Sequence, residues 1–342
     1  MLSLLSYLYL LILKIRLFLY EKRILRSRSL GLKTISIGNI TTGGTGKTPV
    51  TILFSKLLSE KNLKVCVLTR GYKRKNPRKS ILVSKYGEIL ADAEIAGDEP
   101  LEIARKTKAS VIADANRIRA ASWAIENLKP DVFLLDDAFQ HLKVHRDLNI
   151  VLIDALNPFG NYKLLPAGIL REPLSSLQRA DVFLLTKTNL VEPNELVEIE
   201  KIIRLFNPSA SIFRAEIEIE KIRNLKNETE AKNLSKQNFL AVCGIANPES
   251  FFRLLQKHEF NLTGKISFPD HHAYSAKDVE KISFLAKKKK ADAILVTAKD
   301  AVKLERLNLS SEYFVVETSF KFSEDFTSMI LQTISQKSHP RD

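Results

Sequence analysis

Apolar residues in this chain follow two rhythms. Short unbroken runs recur over the first two thirds: TISIG at 34–38, KVCVLTR at 64–70, SVIAD at 110–114, DVFLLDD at 131–137, NIVLID at 149–154 and DVFLLTK at 181–187. Unbroken runs of this length predict strands covered on both faces, as in a parallel sheet wrapped by helices. Helical spacing fits between several of them, at 48–60, 99–106, 116–128 and 193–206. Strand alternating with helix is the α/β pattern. Near residue 210 the rhythm changes. SIFRAEIEIEKI at 211–222 alternates apolar and polar, the mark of a strand with one face in water. A polar stretch follows at 224–238. A second strand–helix series then runs from FLAVCGI at 239–245 through NPESFFRLLQKH to AILVTAKD at 293–300, with a further strand in EYFVVETSFKF at 312–322. The expected division is an N-terminal helix at 1–28, a main α/β domain at 29–210 and linker strands at 211–235 and 311–325. A smaller C-terminal α/β domain fills 236–310.

The first twenty residues, MLSLLSYLYLLILKIRLFLY, break both rhythms by being apolar around almost the whole helical circumference. The uncharged part ends at Leu13. Thirteen helical residues reach about 20 Å, short of the roughly 30 Å of a bilayer's hydrocarbon. Snorkelling by Lys14 and Arg16 would extend the reach to Tyr20. A signal peptide carries its charge ahead of the apolar run, whereas here the charge follows. Tyr7, Tyr9 and Tyr20 suit an interface, and the trailing Lys and Arg suit anionic headgroups on the cytoplasmic side. A membrane-associated helix is expected; whether it spans the bilayer or lies on it stays open, and a helix packed on a soluble body is the alternative.

Charge sharpens this picture. The 342 residues carry 53 basic and 39 acidic side chains, a net +14. Seven basic residues lie within positions 1–35 against one acid, Glu21. The excess points to an anionic partner: nucleic acid, anionic lipid or a phosphorylated substrate. Two cysteines, Cys66 and Cys243, lie in apolar runs and make no disulfide framework, and no Cys/His cluster has zinc spacing.

Chemistry concentrates in GNITTGGTGKTP, residues 38–49. A glycine-rich turn between strand and helix aims main-chain N–H groups at phosphate oxygens, and the helix N-terminus adds partial positive charge. Thr41, Thr42, Gly43, Gly44, Thr45, Gly46, Lys47 and Thr48 are the candidate nucleotide cradle. Lys47 would reach the β/γ-phosphates and the Thr48 hydroxyl would ligate Mg²⁺. Thr41 stands where the P-loop pattern has its first glycine, with Gly43 and Gly44 compensating. In DVFLLDDAFQH at 131–141, an acid ending a buried strand is where a P-loop fold places its Mg²⁺ ligand, so Asp136 and Asp137 are metal candidates. Adjacent residues point to opposite faces if both stay in the strand. The fold class expected is a P-loop NTPase-type, mostly parallel sheet with helices on both faces, plus a smaller α/β domain joined by a two-strand linker.

Other candidates are less specific. Asp98 in AGDEP lies at a helix start, as acceptor-side base or as plain N-cap. FPDHHAYS at 268–275 offers Asp270, His271 and His272. LPAGILREPL at 165–174 offers Arg171 and Glu172, and an arginine there would stabilise charge on a γ-phosphate. Thr186-Lys187-Thr188-Asn189 resembles a guanine-reading N/T-K-x-D stretch with Asn in place of Asp, which favours ATP over GTP.

These segments together resemble the tetraacyldisaccharide 4′-kinase (lipid A 4′-kinase) family over almost the whole chain. LTRGYKR (68–74), GDEP (97–100), DDAFQHLKVHRDLNIVLID (136–154), LPAGILREPLSSLQRAD (165–181), CGIANPESFF (243–252), FPDHHAY (268–274) and VTAKDAVKL (296–304) match its segments in order. That family's P-loop also lacks the first glycine. Small departures are Lys73, where glycine is frequent, and Ile169, where proline is frequent. The resemblance implies ATP- and Mg²⁺-dependent phosphorylation of the 4′-hydroxyl of a tetraacylated disaccharide 1-phosphate, a lipid A precursor, at the cytoplasmic face of the inner membrane. It implies that Asp98 paired with His271 assists the attacking hydroxyl. Lys47 and Arg171 would neutralise phosphate charge, and Thr48 with Asp136 or Asp137 would hold Mg²⁺. Two rivals differ in class. A membrane-tethered NTPase switch would hydrolyse nucleotide without a lipid acceptor. A nucleic-acid binder rests on charge alone, without a recognition motif, so no nucleic-acid partner is expected.

Overall fold

The computed structural model describes residues 2–335, apart from 73, 232, 233, 235, 236 and 271. It divides into two compact units. The first comprises Met1–Thr186, Asn194–Ala215 and Phe322–Asp342, the second Lys187–Pro193 and Glu216–Lys321.

The first unit opens with α1 (Leu2–Glu21), followed by β1 (Lys33–Asn39), α2 (Lys47–Glu60) and β2 (Val65–Thr69). Next come β3 (Ile81–Lys85), β4 (Glu88–Ile89), α3 (Ala93–Ala96), α4 (Asp98–Lys106) and β5 (Ser110–Ala113). Then follow α5 (Arg117–Asn127), β6 (Val132–Asp136), β7 (Leu148–Asp154), β8 (Val182–Thr186), α6 (Pro193–Phe206) and β9 (Ser211–Asn224). The sheet runs β9–β8–β7–β1–β6–β2–β5–β3–β4. From β9 to β5 every pairing is parallel. Every residue of β2, β5, β6, β7 and β8 is buried, which is why these strands read as unbroken apolar runs. The β3–β4 hairpin is antiparallel and half exposed, and the apolar runs do not reveal it. Its turn holds Tyr86 at φ 47° and Gly87 at φ 94°, the backbone of a tight primed hairpin turn.

β1 lies between β6 and β7, with Ile37 opposite Asp136 and Asn39 opposite Leu152. The loops at the C-terminal ends of these strands therefore converge, where open parallel sheets bind ligands. α2 buries Val50, Ile52, Phe54 and Leu58 on the sheet.

The second unit contains β10 (Asn238–Cys243), α7 (Pro248–Lys257), β11 (Asn261–Ser267), α8 (Ala276–Lys288), β12 (Ala293–Thr297), α9 (Ala298–Leu304) and β13 (Tyr313–Phe322). Its strand order is β11–β10–β12–β13–β9, the last through residues 216–224, which belong to this unit. Alternate residues of β10 feed two cores. Leu240 and Val242 pack with Val279, Ile282 and Leu304, while Phe239 and Ala241 pack with Phe251 and Leu255. β11 and α8 add to the elements expected from the sequence. α10 (Glu324–Ser335) belongs to the first unit, where its Phe326 packs edge-on against Phe54 and Phe322. Cys66 and Cys243 are buried and unpaired.

The turn after β6 packs directly on β1. A methyl group at Gly38 would stand 2.6 Å from the amide nitrogen of Phe139 and 2.7 Å from its Cβ. Backbone cannot yield as a flexible side chain can. Gly38→Ala should therefore lose about 1–3 kcal/mol of unfolding free energy, the scale of an overpacked core. Urea denaturation followed by far-UV circular dichroism measures this.

Candidate active site

α2 starts on Gly46, at φ 89° and ψ 18°, and no side chain caps it. By comparison, α3, α5, α8 and α9 start on Asp92, Asn116, Ser275 and Thr297, each accepting from a first-turn amide, whereas α4 and α7, like α2, carry no side-chain cap. The first-turn N–H groups of α2 thus have no side-chain acceptor. Gly43, at φ 109°, and exposed Gly44 lead into it. Both values of φ lie where only glycine is unstrained, so the turn can bring main-chain amides close to a ligand.

The rest of the turn is fixed from below. Buried Thr45 accepts from Asn39 Nδ2 at 2.9 Å, and its carbonyl accepts from Thr186 Oγ1 at 3.1 Å. Thr41 bridges to Leu170, Thr42 N–H donates to the Ile169 carbonyl at 2.7 Å, and Arg171 N–H donates to the Ile40 carbonyl at 2.7 Å. The 165–171 loop is thereby tied to the glycine turn, which places the Arg171 side chain. Thr48 is buried in the first turn of α2.

The two adjacent acids separate. Asp136 ends β6 and is buried, accepting from Thr51 Oγ1 at 3.1 Å and Thr69 Oγ1 at 3.0 Å. Asp137 leaves the strand at φ 48°. The opposite-face rule for two strand residues therefore does not govern the pair. Its Oδ1 takes both cations, Lys47 Nζ at 3.6 Å and Arg171 Nη1 at 2.7 Å. Gln140 completes the group: its Oε1 lies 3.3 Å from Arg171 Nη1, and its Nε2 donates to the Asn39 carbonyl at 2.8 Å.

Electrostatics divides the acids further. Burial, reinforced by the charges of Glu99 and Asp137, pushes the Asp136 carboxyl up to about 6. Burial alone would raise Asp137 as well, but Lys47 and Arg171 together outweigh it and hold that carboxyl below the usual range. Burial and the surrounding cations Arg117, Arg146, Arg16 and Lys143 push His141 down to about 4, so its ring is neutral at pH 7.

Asp98 is the first residue of α4, and Gly97, at φ 93°, holds the cap position. The N-cap alternative for Asp98 is thereby corrected: its carboxylate caps nothing and stays exposed. His271 lies outside the described residues. Its neighbour His272 has a structural setting, stacked on Phe268 at 4.6 Å with Nε2 3.2 Å from Asp278, the capping-box residue of α8. Asp270 is exposed. Asn189 spends its amide on Ile217, donating to the carbonyl at 2.8 Å and accepting from the N–H at 3.1 Å. Glu172 is fully buried and ion-paired with Arg179.

Known proteins decide the family. The model of the family described as tetraacyldisaccharide-1-P 4′-kinase matches residues 1–335. The chain belongs to the tetraacyldisaccharide 4′-kinase family. A relative named tetraacyldisaccharide 4′-kinase in Desulfotalea psychrophila is 39% identical over 330 residues, covering 96% of this chain and 94% of the relative. Another, in Aquifex aeolicus, is 36% identical over 301 residues, covering 88% of each. A crystal structure of LpxK from Aquifex aeolicus in complex with ATP superposes with a TM-score of 0.73 at 33% identity, covering 96% of this chain and 97% of that one. The chain is thus a kinase with a P-loop α/β fold.

The Asp136 carboxyl has a thermodynamic consequence. Its folded-state value, about 6, lies above its ordinary 3.8. Between those values the unfolded chain releases a proton that the native state retains. Stability is therefore lost as pH rises from about 4 to about 6, by on the order of 3 kcal/mol. Asp136→Asn cannot titrate. Urea unfolding at pH 4.5, 5.5 and 7 should show the variant gaining on wild type across that window, and a pH-independent difference would contradict the assignment.

Proposed function

We propose that this enzyme transfers the γ-phosphate of ATP to the 4′-hydroxyl of a tetraacylated disaccharide 1-phosphate, a lipid A precursor, at the cytoplasmic face of the inner membrane. The observation that carries the reading is the uncapped start of α2 beside two cations that share a single carboxylate oxygen. A phosphate group is the acceptor that fits both: it takes main-chain N–H groups and it pairs with Lys47 and Arg171.

The roles follow from position. Amides of residues 43–48 cradle the phosphate tail, and Lys47 and Arg171 neutralise charge on the transferring group. Asp98, exposed at the start of α4, accepts the proton of the attacking hydroxyl, with His271 as its partner by family resemblance. Both polar ends of Asn189 are engaged by Ile217, so it offers nothing to a guanine edge, which supports ATP as donor. The Thr48 hydroxyl and the carboxylates of Asp136 and Asp137 are hard oxygen donors and suit Mg²⁺. Among the described residues no three His, Cys, Asp or Glu side chains cluster as a complete metal site. That fits an ion which keeps water and phosphate oxygens as ligands. Bound there, Mg²⁺ would neutralise phosphate charge.

α1 supports the membrane assignment. It is long and apolar enough to cross a bilayer. Yet its Ser6 and Tyr9 bond to the body: Ser6 Oγ donates to the Leu164 carbonyl at 3.0 Å and Tyr9 Oη to the Arg171 carbonyl at 2.8 Å. Arg16 donates to the Gln140 carbonyl at 2.8 Å. Positions 6, 9, 13 and 16 form one face, and the other face exposes Leu4, Leu8, Leu11, Ile12 and Ile15. We read α1 as lying along the membrane surface with that second face in the acyl chains.

Two experiments test this. Phosphate transfer from radiolabelled ATP to the disaccharide should fall at least about 100-fold in Asp98→Ala and in Lys47→Ala. Michaelis constants for ATP should separate them, rising in Lys47→Ala and holding in Asp98→Ala. For the membrane contact, Leu8→Glu/Ile12→Glu should leave the melting temperature unchanged and shift the protein from sedimenting vesicles to the supernatant, weakening partition tenfold or more.

A further inference from the structure

α1 grips the first unit more specifically than a membrane contact requires. Its inner face carries Ser6, Tyr9, Leu13 and Arg16, at the three- and four-residue spacing of one helical stripe. Leu13 is buried and supplies the apolar contact. The three polar side chains all bond main-chain groups, and those groups belong to two segments, the loop at 164–171 and the turn at 138–140. Ser6 Oγ accepts from the Ala167 N–H at 3.0 Å and donates to the Leu164 carbonyl at 3.0 Å. Tyr9 Oη donates to the Arg171 carbonyl at 2.8 Å, and Arg16 Nη2 donates to the Gln140 carbonyl at 2.8 Å. A helix held to the body by packing alone would need no directed donors on this face.

The Tyr9 contact reaches furthest into the site. It completes a clamp on the Arg171 main chain: the N–H of that residue donates to the Ile40 carbonyl at 2.7 Å, just ahead of the glycine turn, while its carbonyl accepts from Tyr9. The arginine side chain therefore leaves a backbone fixed from both sides, and its Nη1 lies 2.7 Å from Asp137 Oδ1. Arginine has many rotamers, and a fixed root cuts the freedom it must lose to meet a phosphate. The Tyr9 phenol is half-buried, and a neutral phenol keeps the proton that it donates. We propose that Tyr9 is a positioning residue for phosphate transfer, holding the Arg171 carbonyl from α1 so that the guanidinium stands where charge develops on the transferring group. This role rests on the phosphate contact proposed above for Arg171. It extends the site to a residue 162 positions away, on the helix read as membrane-bound. Placement matters at this scale, since a misplacement of about 1 Å costs on the order of 100-fold in rate.

Tyr9→Phe keeps the ring and removes the donor. With the full-length protein, radiolabelled ATP and the tetraacylated disaccharide 1-phosphate in neutral detergent, kcat should fall about tenfold. The Michaelis constant for the acceptor and the partition onto vesicles should hold, which a membrane-contact role would not allow. The same substitution made on an Arg171→Ala background should have no further effect, because a residue that acts through Arg171 has nothing left to place. A Tyr9→Phe defect of equal size on both backgrounds would overturn the proposal. So would a rise in the acceptor's Michaelis constant with kcat unchanged. The two layers of the account fail separately. If Arg171→Ala is slow while Tyr9→Phe turns over like wild type, the Tyr9 role falls and that of Arg171 stands. If Arg171→Ala is as fast as wild type, the phosphate role of Arg171 falls and takes the Tyr9 role with it.

Discussion

One carboxylate oxygen organises this molecule. Asp137 Oδ1 holds both Lys47 and Arg171, and those residues come from separate segments: the start of α2 and the loop that follows β7. The shared anion offsets the repulsion between two neighbouring cations. In the function proposed above a triphosphate would bring several negative charges to the same cations, and the carboxylate would prearrange them for it. The backbone pays a strain for this, since Asp137 sits at φ 48° in a residue with a Cβ. Charge pairing and the packing of Phe139 on Gly38 keep the turn there.

The same turn links the chemistry to α1. Tyr9 bonds the carbonyl of Arg171, and Arg16 bonds the carbonyl of Gln140. Those two residues meet at the Arg171 guanidinium beside Asp137. Seating α1 therefore steadies the backbone of Arg171, which touches the central carboxylate, and of Gln140, which touches Arg171. Under the function proposed above, α1 would bind lipid while bracing this turn, which suits an acceptor that cannot leave the bilayer.

Much of this architecture was legible from residue order because buried parallel strands have a plain signature. VFLLD and VFLLT are apolar throughout since both faces are covered. The glycine turn stood out through three glycines, a lysine and a threonine at the junction of a strand and a helix. What stayed hidden depended on geometry that no local pattern records. ILVSKYGEIL is half exposed and mixed in pattern, so its hairpin shows only in the Tyr86-Gly87 turn. The separate fates of Asp136 and Asp137 arise from one positive φ and from hydroxyls that come from α2 and β2. Tyr9 and Arg171 sit 162 positions apart, and only folding brings that hydroxyl to that carbonyl.

A crystal structure with a non-hydrolysable ATP analogue tests the central claim most directly. The account predicts the β- and γ-phosphates on the main-chain amides of residues 43–48, with Lys47 and Arg171 turned to phosphate oxygens. Nucleotide bound elsewhere, with both cations still on Asp137 and the start of α2 empty, would contradict it.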